Sequence, residues 1–182
     1  TGTSRQQIEL AIVETQQQDV ELGAELVVGA ALPKADRQRW LVEKLTEIGT
    51  TCLVPLRTSR SVVHPDEKAL NKLRRSVIEA SKQCGRNRLM QVASLVRWEQ
   101  FLETAPADAE CWFGDVRGNG VNTETSERPI YIAVGPEGGL TEDEASAARG
   151  LGWQGVSLGP RILRIETACF ALATLAAHRL FR

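Results

Sequence analysis

Short apolar runs, most of them rich in Val, Ile and Leu, recur along the chain at residues 26–31, 52–56, 110–114, 130–135 and 155–158, each with the length of a buried strand. Between them, apolar residues return every three or four positions, the spacing that places side chains on one face of a helix. Over residues 36–48 this aligns Trp40, Leu41, Leu45 and Ile48, and Gly49 follows where a left-handed cap would end the helix. Over residues 66–84 it aligns Leu70, Leu73, Val77, Ala80 or Ser81, and Cys84, with Pro65 before the helix and Gly85 after it. A shorter helix over 142–149 is marked by Thr141 and Glu144, spaced as a capping box. Strands alternating with helices predict an α/β domain, with a mostly parallel sheet flanked by helices.

Two regions depart from this alternation. Residues 165–180 carry Ala168, Phe170, Ala171, Leu172, Leu175 and Ala176, with few charges on any face before His178. A helix apolar nearly all round must be buried on more than one side, which predicts a homodimer joined through it, with burial inside one chain the competing solution. Residues 1–25 predict one strand at 8–13, then a polar stretch at 14–21, and look like the end of another module. Residues 119–127 predict a polar loop between two strands.

Composition narrows the class. A chain of 182 residues with 42% hydrophobic content can bury the core of one domain, which excludes disordered classes. Its apolar runs are shorter than a bilayer span, and no basic-then-apolar leader opens it, so a soluble cytoplasmic protein with no membrane partner is expected. Cys52, Cys84, Cys111 and Cys169 are scattered, and only His64 and His178 could join them, so neither a metal site nor a disulfide framework is expected. The net charge of −1 conceals an asymmetry: residues 57–88 hold nine Lys and Arg against three Asp and Glu. So concentrated a basic segment points to a polyanion partner, although a solvated helix face would look the same.

The glycine loops carry the chemistry. Gly135, Pro136, Glu137, Gly138 and Gly139 follow an apolar strand and precede the capped helix, so this loop lies at the carboxyl edge of the sheet, where open α/β sheets bind ligands. Glycine lets the backbone approach a ligand, and the next helix presents free amides. A tight turn without a ligand would have the same composition. The loop has neither the lysine nor the spacing of a P-loop, and no GxGxxG follows an early strand, which disfavours ATP and NAD. A second loop, Leu158, Gly159, Pro160, Arg161, Ile162, Leu163 and Arg164, enters the last helix through Ile165, Glu166 and Thr167. Two loops of this kind at adjacent strand ends predict one pocket.

The strings VGPEGGLT at 134–141 and LGPRILRIETA at 158–168 resemble the RsmE branch of the SPOUT methyltransferases. LPKADR at 32–37, EKLTEIG at 43–49 and EASKQCGR at 79–86 agree with it, although Lys82 stands where that family usually has an acid. The resemblance covers residues 26–182 and implies a SPOUT methyltransferase domain with a C-terminal trefoil knot, active as a homodimer. Residues 1–25 would be the remnant of an N-terminal PUA-like RNA-binding barrel and its linker. The reaction implied is methylation of N3 of a uridine in small-subunit (16S) ribosomal RNA, with S-adenosylmethionine as donor and S-adenosylhomocysteine as product. The Asn-x-x-x-Arg and Ser-Leu-Asn signatures of ribose-methylating relatives are missing, which favours a base. A binding-only dimer for RNA or a nucleotide, and a methyltransferase for another RNA such as transfer RNA, are the alternatives.

Roles follow residue by residue. The resemblance implies donor contacts from Val134, Gly135, Pro136, Glu137, Gly138 and Gly139, and from Leu158, Gly159, Pro160, Ile162, Leu163, Arg164 and Thr167. Core packing would account for the leucines equally well. Gly138→Val is expected to abolish donor binding by obstructing backbone approach. Transfer from a sulfonium is an in-line displacement, so positioning dominates. Uracil N3 must lose its proton, which calls for a base or for a cation that stabilises the imide anion. Arg86 and Arg164 are the candidates to face O2 and O4, against a phosphate contact for the first and pairing with Glu166 or Glu137 for the second. Glu166 suits a helix start electrostatically, with general base as the alternative role. Arg57, Arg60, Lys72, Arg75, Arg86 and Arg88 would contact RNA phosphates.

Overall fold

The computed structural model describes residues 2–3, 8–15, 19–34 and 36–181, with side chains from Leu10 onward. The strand expected over 8–13 is confined to β2 (Ile8–Glu9), which pairs antiparallel with β1 (Gly2–Thr3). Beyond it Leu10, Ile12 and Val13 are 78%, 86% and 96% exposed, and among the described residues no strand lies alongside to continue the ladder.

The main sheet is built from β3 (Leu26–Ala30), β4 (Cys52–Arg57), β5 (Gln91–Val92), β6 (Val96–Arg97), β7 (Glu110–Asn119), β8 (Ile130–Val134) and β9 (Gln154–Val156). Its order is β5-β4-β3-β8-β7-β9, with β6 also on β4, and every pairing is parallel. Such a sheet needs cover on both faces. The helices α1 (Asp36–Ile48), α2 (Glu67–Cys84) and α5 (Ile165–Leu180) bury Leu41, Leu45, Leu70, Leu73, Val77, Cys169 and Leu172 against Leu26, Val28, Ile130 and Ile132. On the opposite face α3 (Trp98–Leu102) and α4 (Glu142–Gly150) bring Trp98, Phe101, Ala145 and Ala148 against Val27, Phe113 and Ala133. The two-residue period of β3 is visible in this division, with Val27 serving one core and its neighbours Leu26 and Val28 the other.

Helix ends fall where the sequence expects them because the caps are local. Asp66 accepts a hydrogen bond from the Ala69 amide at 2.7 Å, and Gly85, with φ of 78°, turns the chain out of α2. The β5, β6 and α3 elements had no counterpart in the sequence reading, since two strand residues or five helical ones are too few to show a period. Along the expected stripe of α1, Leu41 and Leu45 are buried but Trp40 is 46% exposed, resting edge-on against Phe170 of α5 at 4.7 Å between ring centroids.

The loop from β7 to β8 is held by the end of α5. Arg179 donates to the Glu110 carboxylate at 2.5 and 3.0 Å and to the Glu124 carbonyl at 2.6 Å, and its guanidinium lies over the Trp112 ring. The Ser126 amide donates to the Arg179 carbonyl at 2.8 Å.

Glu144 does more than close its capping box. One carboxylate oxygen accepts from the Ser59 amide at 2.7 Å, and the other accepts from the Thr141 amide at 2.8 Å, so α4 is tied to the turn after β4. Burial alone would raise this carboxyl, but the bonds from Ser59 and Thr141 outweigh it and hold it below the usual value. A folded-state pKa below the unfolded one gives stability that is present above the unfolded value near 4.3 and is lost as pH falls through the folded value. Glu144→Ala should therefore cost about 2–3 kcal/mol at neutral pH through unsatisfied buried donors. Acid titration of the melting temperature should also show a shallower decline below pH 5 in Glu144→Gln than in the unaltered chain.

Candidate functional site

A cleft of about 660 Å³, including its open mouth, lies at the carboxyl edge of the sheet. Val134 ends β8 and leads into Gly135, Pro136, Glu137, Gly139 and Leu140 on one wall. Leu158, Gly159, Arg161, Ile162 and Leu163 form the other, and Ile165 and Ala168 of α5 close the back.

The two loops do not come from adjacent strands, as the sequence reading expected. The β7 strand runs between β8 and β9, so the strand ends are one strand further apart. The cleft exists nonetheless, because β7 is longer than its apolar run suggests and its register with β9 shifts between Gly114 and Asn119. Its Gly114, Asp115 and Val116 thereby line the space between the loops. No sequence signal marked these residues beyond their place at a strand end.

Nine of the expected donor contacts line the cleft, whereas Gly138, Pro160, Arg164 and Thr167 are not among its walls. Gly138 turns away: its carbonyl accepts from Arg60 at 2.7 Å, and an added Cβ would meet the Arg60 side chain at 3.4 Å. The positions that require glycine are instead Gly139, with φ of 69°, and Gly159, with φ of 102°. Obstruction by Gly138→Val is thus replaced by backbone strain at these two neighbours.

The charged groups are arranged unevenly around this space. Asp115 is neutralised by Arg149 at 2.8 Å. Arg161 and Arg164 are exposed, and neither side chain has a hydrogen-bond or ion-pair partner among the described residues. Glu166 is 1% exposed, does not pair with Arg164, and has one carboxylate oxygen with no donor. Its other oxygen lies 3.5 Å from Arg37, a residue inside the LPKADR string to which the sequence reading gave no role.

Arg86 requires a correction. It is 8% exposed, and its guanidinium donates to Glu21 at 2.5 and 3.2 Å and to the carbonyls of Thr46 and Thr50 at 2.8 and 3.0 Å. Thr50 lies just before β4, at the amino edge of the sheet, so Arg86 is on the far side from the cleft. With its donors committed, it faces neither a base nor a phosphate and instead fastens residues 19–25 to the ends of α1 and α2. Arg57, Lys72, Arg75 and Arg88 are exposed and lack ion-pair partners among the described residues, and Arg60 stands beside the first glycine loop through its bond to Gly138.

A glycine-lined cleft at the carboxyl edge of a parallel sheet defines the class of protein, and similarity supplies the family. Residues 20–177 match the model of the RNA methyltransferase domain, and the chain belongs to that family. It is 36% identical over 174 residues to ribosomal RNA small subunit methyltransferase E of Synechocystis, covering 91% of this chain and 57% of that protein. Against the enzyme of the same name from Bacillus subtilis, identity is 29%, covering 96% of this chain and 74% of that one. The Neisseria gonorrhoeae ribosomal RNA small subunit methyltransferase E, solved bound to S-adenosyl methionine, superposes with a TM-score of 0.80 at 30% identity over 87% of this chain and 67% of that one. The SpoU methyltransferase AviRb of Streptomyces viridochromogenes shares the fold alone, at 13% identity with a TM-score of 0.55 over 87% of this chain and 58% of that one. The RsmE resemblance carried by the two loop strings is borne out.

Proposed function

We propose that this chain is the methyltransferase domain of an enzyme that transfers a methyl group from S-adenosylmethionine to N3 of a uridine in small-subunit (16S) ribosomal RNA. The observation that carries the reading is the cleft itself: the two strings shared with the RsmE branch, separated in sequence by residues 142–157, form its two walls. The named relatives support the substrate, and the donor-bound Neisseria structure supports the cofactor. When bound, the donor supplies an electrophilic methyl on a sulfonium. The chain's own part is to hold and orient it. Leu140, Val156, Leu158, Leu163 and Ile165 offer apolar contact, and the glycine backbone at 135, 139 and 159 lets the ligand lie close. Arg164, exposed and unpaired among the described residues at the entrance to α5, would stabilise the imide anion as the N3 proton leaves to solvent. With Arg86 committed elsewhere, that role rests on Arg164.

Radiolabelled methyl transfer to small ribosomal subunits tests this reading. Incorporation at a uridine N3 is the expected result; donor and RNA binding without incorporation would mark a binding-only protein.

The same reading includes the family's C-terminal trefoil crossing, action in the cytoplasm, and residues 1–25 as the end of an N-terminal RNA-binding barrel. RNA would be held by Arg57, Arg60, Lys72, Arg75 and Arg88. Arg75→Ala should reduce the salt dependence of RNA affinity by about 0.7–0.9 in the slope of log affinity against log salt, leaving donor affinity unchanged.

The unit is a homodimer. One side of α5 packs on β3, β8 and α1, while Phe170, which meets Trp40, and Ala171 and Leu175 stay partly exposed. Apolar surface of this kind calls for a partner. Leu175→Glu should give monomers in light scattering at micromolar concentration.

A further inference from the structure

Arg37 is the residue through which three separate loops meet. It lies in the first turn of α1, just after the loop that leaves β3. Its Nη1 is 3.8 Å from Glu137 Oε1, in the loop that leaves β8, and 3.5 Å from Glu166 Oε1, in the first turn of the helix that follows β9. One nitrogen is thus shared by two carboxylates, at distances of ion pairing rather than of direct hydrogen bonds. Glu137 lines the cleft and is half exposed; Glu166 is buried and its Oε2 has no donor. Two negative charges that share one cation, one of them out of water, would repel strongly without it. The rest of Arg37's helix is anchored in the core through Leu41 and Leu45, so the guanidinium is presented from a fixed base.

We propose that Arg37 is a positioning residue for the cleft: it holds Glu137, and with it the first glycine loop, against the start of α5, so that the two walls keep the separation a bound ligand needs. This rests on the reading of the cleft as the S-adenosylmethionine site. The bracket acts through the walls and need not touch the donor. Removing the cation leaves Glu137 and Glu166 unbalanced, and the half-exposed Glu137 is the group free to swing outward, taking the loop with it.

The experiment is a double-mutant cycle in donor affinity, read by calorimetry with S-adenosylmethionine and S-adenosylhomocysteine, on Arg37→Gln, Glu137→Gln and the pair. The unaltered chain must bind donor; if it does not, the assignment of the cleft is wrong, whatever Arg37 does. Given binding, Arg37→Gln is expected to weaken donor and product alike by five- to tenfold, Glu137→Gln by a similar factor, and the pair by no more than the larger single change. Arg37→Lys should recover at least half of the loss on a logarithmic scale, which general destabilisation of the fold would not predict. Should Arg37→Gln fail to fold, the cycle is run on Arg37→Lys and Glu137→Gln, where non-additivity of the same sign but smaller size is expected. Donor affinity unchanged in Arg37→Gln, or single effects that simply multiply in the pair, would overturn the proposal.

Discussion

Gly159→Val is expected to remove measurable S-adenosylmethionine binding while leaving a folded protein. Gly159 adopts φ of 102° in the loop that forms one wall of the cleft, a conformation that a β-branched residue reaches only under strain. Such strain costs on the order of 1–3 kcal/mol, and it is relieved by rotating a loop whose ends are pinned by β9 and α5. The relaxed loop no longer presents its backbone to the ligand. Ala168→Phe gives an independent check, since it alters no special backbone geometry: position 168 is on α5 and lines the back of the cleft, so the ring occupies the space itself. Both variants should lose at least a hundredfold in donor affinity by calorimetry, with melting temperatures within a few degrees of the unaltered chain. A folded Ala168→Phe with unchanged affinity would place the donor elsewhere.

Arg86→Ala is expected to have the largest effect on stability and little on chemistry. Its removal leaves Glu21, with a side chain only 13% exposed, facing no cation, strips the Thr50 carbonyl of its donor and leaves the Thr46 carbonyl with the Gly49 amide alone. Breaking a buried pair from one side costs about 3–5 kcal/mol. At roughly 2–4 °C per kcal/mol for a domain of this size, the melting temperature should drop by about 6–20 °C. Below that transition, donor affinity and the single-turnover rate should match the unaltered chain. A selective loss of rate in a protein of unchanged stability would return Arg86 to the catalytic role that its position in EASKQCGR suggested.

The contrast between these residues shows what the sequence could disclose. Helix ends were legible because Asp66, Thr141, Glu144 and Gly85 act within a few residues of themselves. The glycine loops were legible because strand, loop and capped helix follow one another directly. Arg86 was misread because its partner Glu21 is 65 positions away, and no local pattern distinguishes a guanidinium turned inward from one facing solvent. Arg37 escaped notice for the same reason, since Glu137 and Glu166 become its neighbours only once the ends of β3, β8 and β9 come to one edge of the sheet. Strand order is likewise a long-range property: the insertion of β7 between the two loop-bearing strands, and with it the part played by Gly114, Asp115 and Val116, depends on pairings that hydrophobic periodicity does not encode.

The central claim is methylation of a uridine N3 in small-subunit ribosomal RNA, and nucleoside mass spectrometry of that RNA from cells lacking the gene tests it most directly. The expected result is the loss of 3-methyluridine from one position, restored by the unaltered protein but not by Gly159→Val. An unchanged 3-methyluridine content in the deletion strain would contradict the account.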